Sequence, residues 1–595
     1  MTRLLPFLAL LLVPVLALAA APVVPVAPVS ALHPGQQALV RTVFVGDSIE
    51  TFTAEIVGVL PGGRAEGDMI LARATDPRVI LTGVAQGMSG SPVYVDGRLI
   101  GALSSGWAFS KEPIFGITPI GEMLAVLDQP DADTDESVGP TGIDPQARAT
   151  FRGLSWEDSP DGPTPPRSGS RPGLALQLAV SGLAPAAQDR VRDLFAPLGF
   201  EVVPGGRQRA TSPRPTPTLQ PGSAVAVDVL RGDLNFSAIG TVTYVDGDRV
   251  LLFGHPFFQS GGIRLPLSTA SITTIMGSLN TSFKLGVPGT PIGTATQDRR
   301  TAVAGRLGAT PSLMPIRVEV TGASPRPQTF RFEAIDDRNL LPQLVSTVAL
   351  NSVLESGGSG LVQTIDWALT VWSNGRALTL GDRVASEGPL AEVAGTLAAP
   401  IRFLTNNPFT RFRPDSLAIT LRVTAGRQVA TLRNARLLAP SVRPGGTARI
   451  AVEYERWRGG RETRTIEIAI PDDLPDGRFS LFLGGGLEAD RLLATKLPAR
   501  FRPVSFDDAW QRLAASRRSD ALNALLWGRA PEVNRDGEDL PDLPGSAAAV
   551  LAPTQLTGDR ARRADAVLLL DQRVPDAGVV RGELMLDIVV DRRAP

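Results

Sequence analysis

The sequence predicts a mainly β protein, and three observations favour this fold class. Glycine and proline are abundant, with 60 and 51 residues in a chain of 595, so turns are frequent. Short runs rich in valine, threonine and leucine lie between these turns, and several alternate apolar and polar residues as half-buried strands do. A chain of this length is sufficient for about four domains.

The overall charge and the cysteine content exclude several classes of partner and linkage. The formal net charge is −1, so nothing in it favours binding to nucleic acid or to an anionic membrane. The chain has no cysteine, which excludes disulfides and a lipidated cysteine anchor. Its stability must therefore come from burial of apolar surface, which a chain of this size can provide.

Residues 1–19 have the features of a signal peptide. Arg3 precedes an apolar run over residues 4–19, and Ala17-Leu18-Ala19 fits a small-residue cleavage site. The run is short for a membrane span and contains two prolines. We expect an exported protein, periplasmic or extracellular, with no stable membrane insertion after cleavage; an uncleaved anchor is the alternative.

After a spacer over residues 20–30, residues 31–127 are predicted to form a small β-barrel closed by a helix. Strands are expected over 38–60, around a Gly46-Asp47 turn, and over 68–74. A hairpin over 93–100 turns at Asp96-Gly97, and residues 119–127 have helical periodicity.

The remainder of the chain divides at linkers rich in proline, glycine and serine. Residues 224–310 are predicted to form a second β-rich unit, in which strand 238–245 and strand 249–253 lead to His255. The other predicted segments are a linker (128–173), a small αβ insert (174–204), a second linker (205–223), an α+β extension (311–410), an immunoglobulin-like sandwich (411–490) and a helix- and loop-rich C-terminal region (491–595).

The segment from Gly83 to Ala102 is the strongest candidate for chemistry, and it reads GVAQGMSGSPVYVDGRLIGA. Ser89 lies between glycines, which allow positive φ angles and leave room for an incoming carbonyl group. The same turn can direct backbone N–H groups at one point, as an oxyanion hole requires. An ordinary Gly/Ser turn between two strands is the alternative interpretation.

Only two histidines are available as a general base. His33 follows the N-terminal spacer and is expected at the surface. His255 ends an apolar strand between Gly254 and Pro256, a rigid support for a catalytic base, although a packing role is the alternative. The sequence contains no zinc or nucleotide-binding motif, and no cofactor or metal is expected.

Two segments together resemble the SpoIVB-type (sporulation stage IV B) serine peptidases. The segment around Ser89 is similar to the family's nucleophile segment, and GTVTYVDGDRVLLFGHPF, which ends near His255, is similar to its histidine segment. The resemblance covers about 190 residues and implies a chymotrypsin-like double β-barrel. Serine precedes histidine here, whereas the family has the opposite order, so the two halves are permuted. A catalytic triad tolerates any chain order if its atoms meet in space.

The resemblance implies a role for each matching residue. Ser89 corresponds to the nucleophile and His255 to the general base, and Asp76 occupies the place of the aspartate that orients the histidine. Asp68 is the second choice for that aspartate, and a turn role before Pro77 is the alternative for Asp76. By analogy with similar turns, the backbone N–H groups of Gly87 and Ser89 would form the oxyanion hole.

Two hypotheses from different classes follow. The first is an exported serine endopeptidase that acts on a protein or peptide substrate through an acyl-enzyme. The second is a catalytically inactive protein of the same fold that binds components of the cell envelope through its sandwich domain.

Overall fold

The computed structural model is mainly β, as the sequence predicts. It describes residues 24–594 apart from 65–66, 131–150, 156–175, 207–217, 260, 359–361, 529–531, 536–537, 541–543, 545, 548–549, 551–560, 565 and 577. The predicted signal peptide and most of the two predicted linkers lie outside the described residues. No helix in the described part of the chain is long and apolar enough to cross a lipid bilayer.

The first unit is a closed barrel of six antiparallel strands in the order β1-β2-β3-β6-β5-β4. Alternate residues along the strands point inward, and they form an apolar core that includes Phe52 and Phe115. Helix α1 lies between β3 and β4, and α2 follows β6. The elements are β1 (Gln37–Val43), β2 (Ile49–Arg64), β3 (Gly67–Ala74), α1 (Pro77–Thr82), β4 (Pro92–Val95), β5 (Arg98–Gly106), β6 (Ile114–Pro119) and α2 (Ile120–Leu124).

The second unit also closes into a ring of six antiparallel strands. Strand β9 pairs with both β10 and β12, and the ring continues through β13, β14 and β11 back to β10. Counted from its own first strand, this ring has the same order as the first barrel, 1-2-3-6-5-4. Its strands are β9 (Ala224–Gly232), β10 (Asn235–Asp246), β11 (Arg249–Leu252), β12 (Gly261–Met276), β13 (Phe283–Arg299) and β14 (Ala302–Leu307). Two barrels of one topology are consistent with the chymotrypsin-like fold.

Two further segments extend the second barrel into a 13-stranded sheet. The insert before it contributes β7, which pairs with β10 and lies parallel to β8. The extension after it joins through β16, which pairs with β9. These elements are β7 (Leu176–Ser181), α3 (Gln188–Phe195), β8 (Phe200–Pro204), β15 (Met314–Thr321), β16 (Gln328–Ala334), α4 (Leu341–Glu355), β17 (Gln363–Ser373), β18 (Arg376–Val384), α5 (Pro389–Thr405) and β19 (Ser416–Ala425).

The C-terminal part is a sandwich of two four-stranded sheets, ordered β22-β21-β20-β29 and β28-β24-β23-β30. Its strands are β20 (Val429–Leu437), β21 (Thr447–Arg456), β22 (Gly460–Ala469), β23 (Gly477–Gly484), β24 (Ala521–Gly528), β28 (Val567–Pro575), β29 (Val579–Arg581) and β30 (Glu583–Val590). The same part of the chain contains α6 (Gly486–Lys496), which packs on β23 and β24, and α7 (Phe506–Ala514), which packs on β18 of the large sheet. It also contains a small sheet of β25 (Glu532–Arg535), β26 (Glu538–Leu540) and β27 (Ala561–Ala564).

The sandwich differs from the predicted unit at residues 411–490 in the strands it uses. Strand β19 pairs with β15 and β17 in the large sheet, and four sandwich strands come from beyond residue 520. Alternation of apolar and polar residues predicts a strand but not its partner, because pairing depends on segments distant in sequence.

The two barrels are joined by apolar contacts and by a hairpin arm. One shared cluster includes Val43 of the first barrel with Ile239 and Ile272 of the second, and another includes Leu99 with Leu251. The long β12–β13 hairpin reaches the first barrel, where Ile272 pairs with Gly46 and Phe283 with Gln86. The candidate site lies along this junction.

Candidate active site

Ser89 lies in a turn between α1 and β4, close to the second barrel. Gly87 and Gly90 flank it with φ angles of 86° and 92°, a region that favours glycine. Ser89 is half-buried, whereas both glycines are buried. Its hydroxyl has no hydrogen-bond partner among the described residues and is free to act on a ligand.

Strand β10 of the second barrel holds the carbonyl groups of this turn. Thr241 donates its backbone N–H to the Ser89 carbonyl at 2.9 Å and its hydroxyl to the Gly87 carbonyl at 2.9 Å. The Thr243 hydroxyl donates to the Gly90 carbonyl at 2.7 Å. Three carbonyl groups therefore face the second barrel, and this fixes the orientation of the peptide planes in the turn.

The amide groups of the turn fall into two sets. Met88, Gly90 and Ser91 donate their N–H groups to the carbonyls of Ala85, Leu103 and Met88. The N–H groups of Gly87 and Ser89 donate to no acceptor in the described part of the protein. These two amides are the predicted oxyanion-hole donors, and their free N–H groups are available to a bound oxyanion.

His255 is presented by a sharp turn at the end of β11. Phe253 and Gly254 both have positive φ angles, 66° and 68°, and a bulky residue rarely adopts this conformation. The loop after the histidine is anchored by Asp298, which is fully buried and accepts the N–H groups of Phe257 and Phe258 at 2.7 and 2.5 Å. The strained turn and this anchor place the half-buried imidazole at the barrel junction.

The imidazole of His255 is in the tautomer that a general base requires. Its Nδ1 lies 2.9 Å from the Pro256 carbonyl oxygen, which can only accept a hydrogen bond, so Nδ1 carries the proton. The lone pair is therefore on Nε2. Burial lowers the pKa of His255 below the ordinary 6.5, although the hydrogen bond to Pro256 opposes this shift.

The segments that carry Ser89 and His255 meet at the carbonyl oxygen of Leu103. This oxygen accepts the Gly90 N–H at 2.7 Å and lies 3.3 Å from where a Cβ on Gly254 would stand. A path from Ser89 Cα through the Gly90 N–H, this oxygen and Gly254 to His255 Cα has a total length of about 14 Å, so the two Cα atoms are no farther apart than that. No hydrogen bond joins Ser89 Oγ to His255 Nε2 in the structure as described.

Asp76 lies at the N-terminus of α1 and does not contact His255. Its carboxylate caps the helix at the Arg78 N–H (2.9 Å) and pairs with the Arg78 guanidinium at 3.1 Å. The hydrogen bond from this guanidinium lowers the pKa of Asp76. The role of Asp76 as the residue that orients His255 stays a prediction, because here Pro256 is the partner of Nδ1.

None of the other residues singled out in the sequence forms a hydrogen bond with His255 in the described part of the chain. Asp68 accepts the Gly62 N–H at 3.2 Å at an exposed position. His33 is exposed. Ser91 is fully buried and donates its hydroxyl to Thr42 Oγ1 at 2.9 Å, which is a structural contact.

Sequence reasoning missed several features that position the site. They include helix α1, the Pro256 carbonyl, the Thr241 and Thr118 hydroxyls and the buried Lys284. Asp76 followed by Pro77 is an N-cap and N1 pair that could have predicted α1. The Thr118 hydroxyl donates to the Gly254 carbonyl at 2.6 Å, a contact between residues 136 positions apart that no local pattern indicates.

The family model of the SpoIVB peptidase S55 matches residues 16–124. These residues are similar to the SpoIVB peptidase S55 family. The match contains Asp76 and the turn around Ser89 and ends before His255, so it confirms the resemblance for the serine-bearing segment. No curated protein matches the chain, and no solved structure matches it.

The family match supports a peptidase function at the level of the family, with proteins as substrates. The two barrels are consistent with the chymotrypsin-like fold. At their junction, among the described residues, Ser89 has an unpaired hydroxyl and the N–H groups of Gly87 and Ser89 have no acceptor, and His255 lies on the neighbouring barrel.

Proposed function

We propose that this protein is an exported serine endopeptidase with Ser89 as nucleophile and His255 as general base. One observation carries the proposal: in the described part of the chain, the N–H groups of Gly87 and Ser89 and the Ser89 hydroxyl have no hydrogen-bond partner. The other N–H groups of the turn, those of Met88, Gly90 and Ser91, already donate to backbone carbonyls. Within the turn, the N–H groups of Gly87 and Ser89 are therefore the ones left for a bound anion. An anion that develops next to Ser89 Oγ would be stabilised there.

The proposed reaction is acyl transfer followed by hydrolysis. Ser89 Oγ attacks the scissile carbonyl carbon while His255 Nε2 takes the hydroxyl proton. The carbonyl oxygen becomes an oxyanion, which accepts hydrogen bonds from Gly87 and Ser89. The C–N bond breaks as the imidazolium returns its proton to the amine. Water then attacks the acyl-enzyme with His255 again as base and releases the acid and free serine.

The imidazole must approach the serine for this reaction. Catalytic hydrogen bonds are often long or absent before substrate binds, so the missing Oγ–Nε2 bond is compatible with a base that closes onto Ser89 in the substrate complex. The Pro256 carbonyl keeps the proton on Nδ1 and so takes over part of the function of an orienting carboxylate.

Labelling with a fluorophosphonate probe tests the proposal. We expect the wild type and the exposed-serine control Ser110→Ala to be labelled, and Ser89→Ala and His255→Ala to lose labelling and proteolysis. Circular dichroism checks that each variant is folded. Unchanged proteolysis in both Ser89→Ala and His255→Ala would overturn the proposal.

A second candidate is a peptidase-fold protein that binds envelope components without catalysis. The observation that favours it is the pairing of Asp76 with Arg78, together with the missing contact between Ser89 and His255. Folded wild-type protein that neither labels nor cleaves a panel of unfolded protein substrates would support this candidate.

A further inference from the structure

Lys284 is a buried lysine beneath the serine turn. It lies on β13 of the second barrel, and only 2% of its surface is exposed. The sequence contains three lysines, Lys111, Lys284 and Lys496, whereas almost all other basic residues are arginine.

The main chain of Lys284 fixes one side of the Gly87 peptide. Its N–H donates to the Gln86 carbonyl at 2.9 Å, and this carbonyl shares a peptide plane with the free Gly87 N–H. Because the peptide is planar, the hydrogen bond sets the direction in which that N–H points. The Lys284 side chain packs on Gly87, where an added Cβ would lie 3.1 Å from Lys284 Cβ.

The amine of Lys284 acts on the carbonyl group of Gly87 through the hydroxyl of Thr241. Nζ donates to Thr241 Oγ1 at 3.3 Å, and the Thr241 hydroxyl donates to the Gly87 carbonyl at 2.9 Å. Nζ also donates to Thr42 Oγ1 on β1 at 2.7 Å. Lys284 therefore contacts the Gln86 carbonyl directly and the Gly87 carbonyl through Thr241. Its bond to Thr42 also joins the second barrel to the first.

We propose that Lys284 is the positioning residue of the oxyanion hole. Its main chain holds the Gln86–Gly87 peptide and its amine, through Thr241, holds the Gly87–Met88 peptide, so that the Gly87 N–H faces the reacting carbonyl. This rests on the proposed peptidase function. Lys284 touches neither the reacting atoms nor Ser89 Oγ, so its effect is exerted through the turn.

The surroundings of Nζ suit an amine better than a guanidinium. Its hydrogen-bond partners are the hydroxyls of Thr42 on β1 and Thr241 on β10, and no carboxylate of the described residues forms an ion pair with it. Burial lowers the pKa of Lys284 to about 7. A guanidinium would stay charged at this site, whereas a lysine can lose its proton.

Replacement of Lys284 by methionine tests the proposal, because methionine keeps most of the apolar stem and removes the amine. We expect kcat to fall at least about tenfold, towards the loss of about 100-fold seen when an oxyanion donor is removed, with KM within about twofold. Lys496→Met, at an exposed position in α6, is the matched control and should leave both constants unchanged.

Thr241→Val provides an independent test that avoids substitution of the lysine. It removes the hydroxyl between Nζ and the Gly87 carbonyl and retains the backbone N–H that binds Ser89. If the lysine acts through Thr241, the double variant should lose no more activity than the worse single variant. If the fold-losses in activity of the two single variants instead multiply in the double variant, Lys284 does not act through Thr241.

Three outcomes separate this inference from the proposed function. If Ser89→Ala still labels and cleaves, the peptidase proposal fails. If Ser89→Ala is inactive but Lys284→Met matches the wild type in kcat, the positioning role alone fails. If Lys284→Met loses activity only in proportion to a loss of folded protein in thermal unfolding, the residue is merely structural and the inference is also overturned.

Discussion

Thr241 donates its backbone N–H to the carbonyl oxygen of Ser89 over 2.9 Å, across 152 positions of sequence. The nucleophile turn of the first barrel is therefore completed by a strand of the second. Neither barrel alone holds the carbonyls of the turn, so the candidate site exists only where the two barrels dock.

Gly90→Ala should separate the barrels at the site. A Cβ at this position would lie 2.0 Å from the Thr241 carbonyl oxygen and 2.5 Å from Phe253 N, and φ is +92°. We expect a loss of about 3 kcal/mol or more in the free energy of unfolding, together with loss of probe labelling. Gly97→Ala is the control, since it has a similar φ but open space, and should cost only about 1 kcal/mol. Equal effects of the two substitutions would contradict the docking argument.

Asp76→Asn tests whether the carboxylate acts on His255 or on α1. Asparagine still caps a helix, so stability should change little, whereas Asp76→Ala should cost about 1 kcal/mol. Loss of the orienting carboxylate of a triad lowers kcat by about 10⁴-fold. Because Arg78 holds Asp76 and Pro256 holds the imidazole, we expect a decrease in kcat of less than about tenfold. A decrease near 10⁴-fold would assign Asp76 to the triad in the substrate complex.

The pH dependence of kcat/KM should reflect the lowered pKa of His255. A general base must be neutral, so activity rises with pH as His255 loses its proton. Because burial lowers this pKa below 6.5, the acid limb should have its midpoint below 6.5. His33→Ala, which replaces the only other histidine, should leave the limb in place. A midpoint above 6.5 would show that the base is not a desolvated histidine.

Lys284 should make stability rise with pH in the alkaline range. Its pKa is about 7 in the folded protein against 10.5 for a free side chain, so between these values the unfolded state binds more protons. The free energy of unfolding of the wild type, relative to Lys284→Met, should increase from about pH 7 to about pH 10.5. The increase should be at most about 5 kcal/mol. Urea unfolding across this pH range measures this difference in the free energy of unfolding. If the difference does not change with pH, the pKa of Lys284 is not lowered and its amine is in contact with water.

Much of the fold could be predicted from the sequence because its signals are local. Strand alternation, the Asp96-Gly97 turn and the glycines around Ser89 depend on neighbouring residues and on φ preferences. His255 stood out because it is one of two histidines and ends an apolar strand. The sandwich was harder to predict, since its strands are shared between distant segments.

The sequence by itself determined where a serine turn and a histidine turn would form and which amides could face an oxyanion. Only the tertiary structure decided what holds them. Thr241 and Lys284 contact Gly87, 154 and 197 positions away in the chain, and Thr118 contacts Gly254, 136 positions away. Such contacts arise from closure of two barrels and their docking, and burial in the folded structure lowers the pKa of Lys284 and His255.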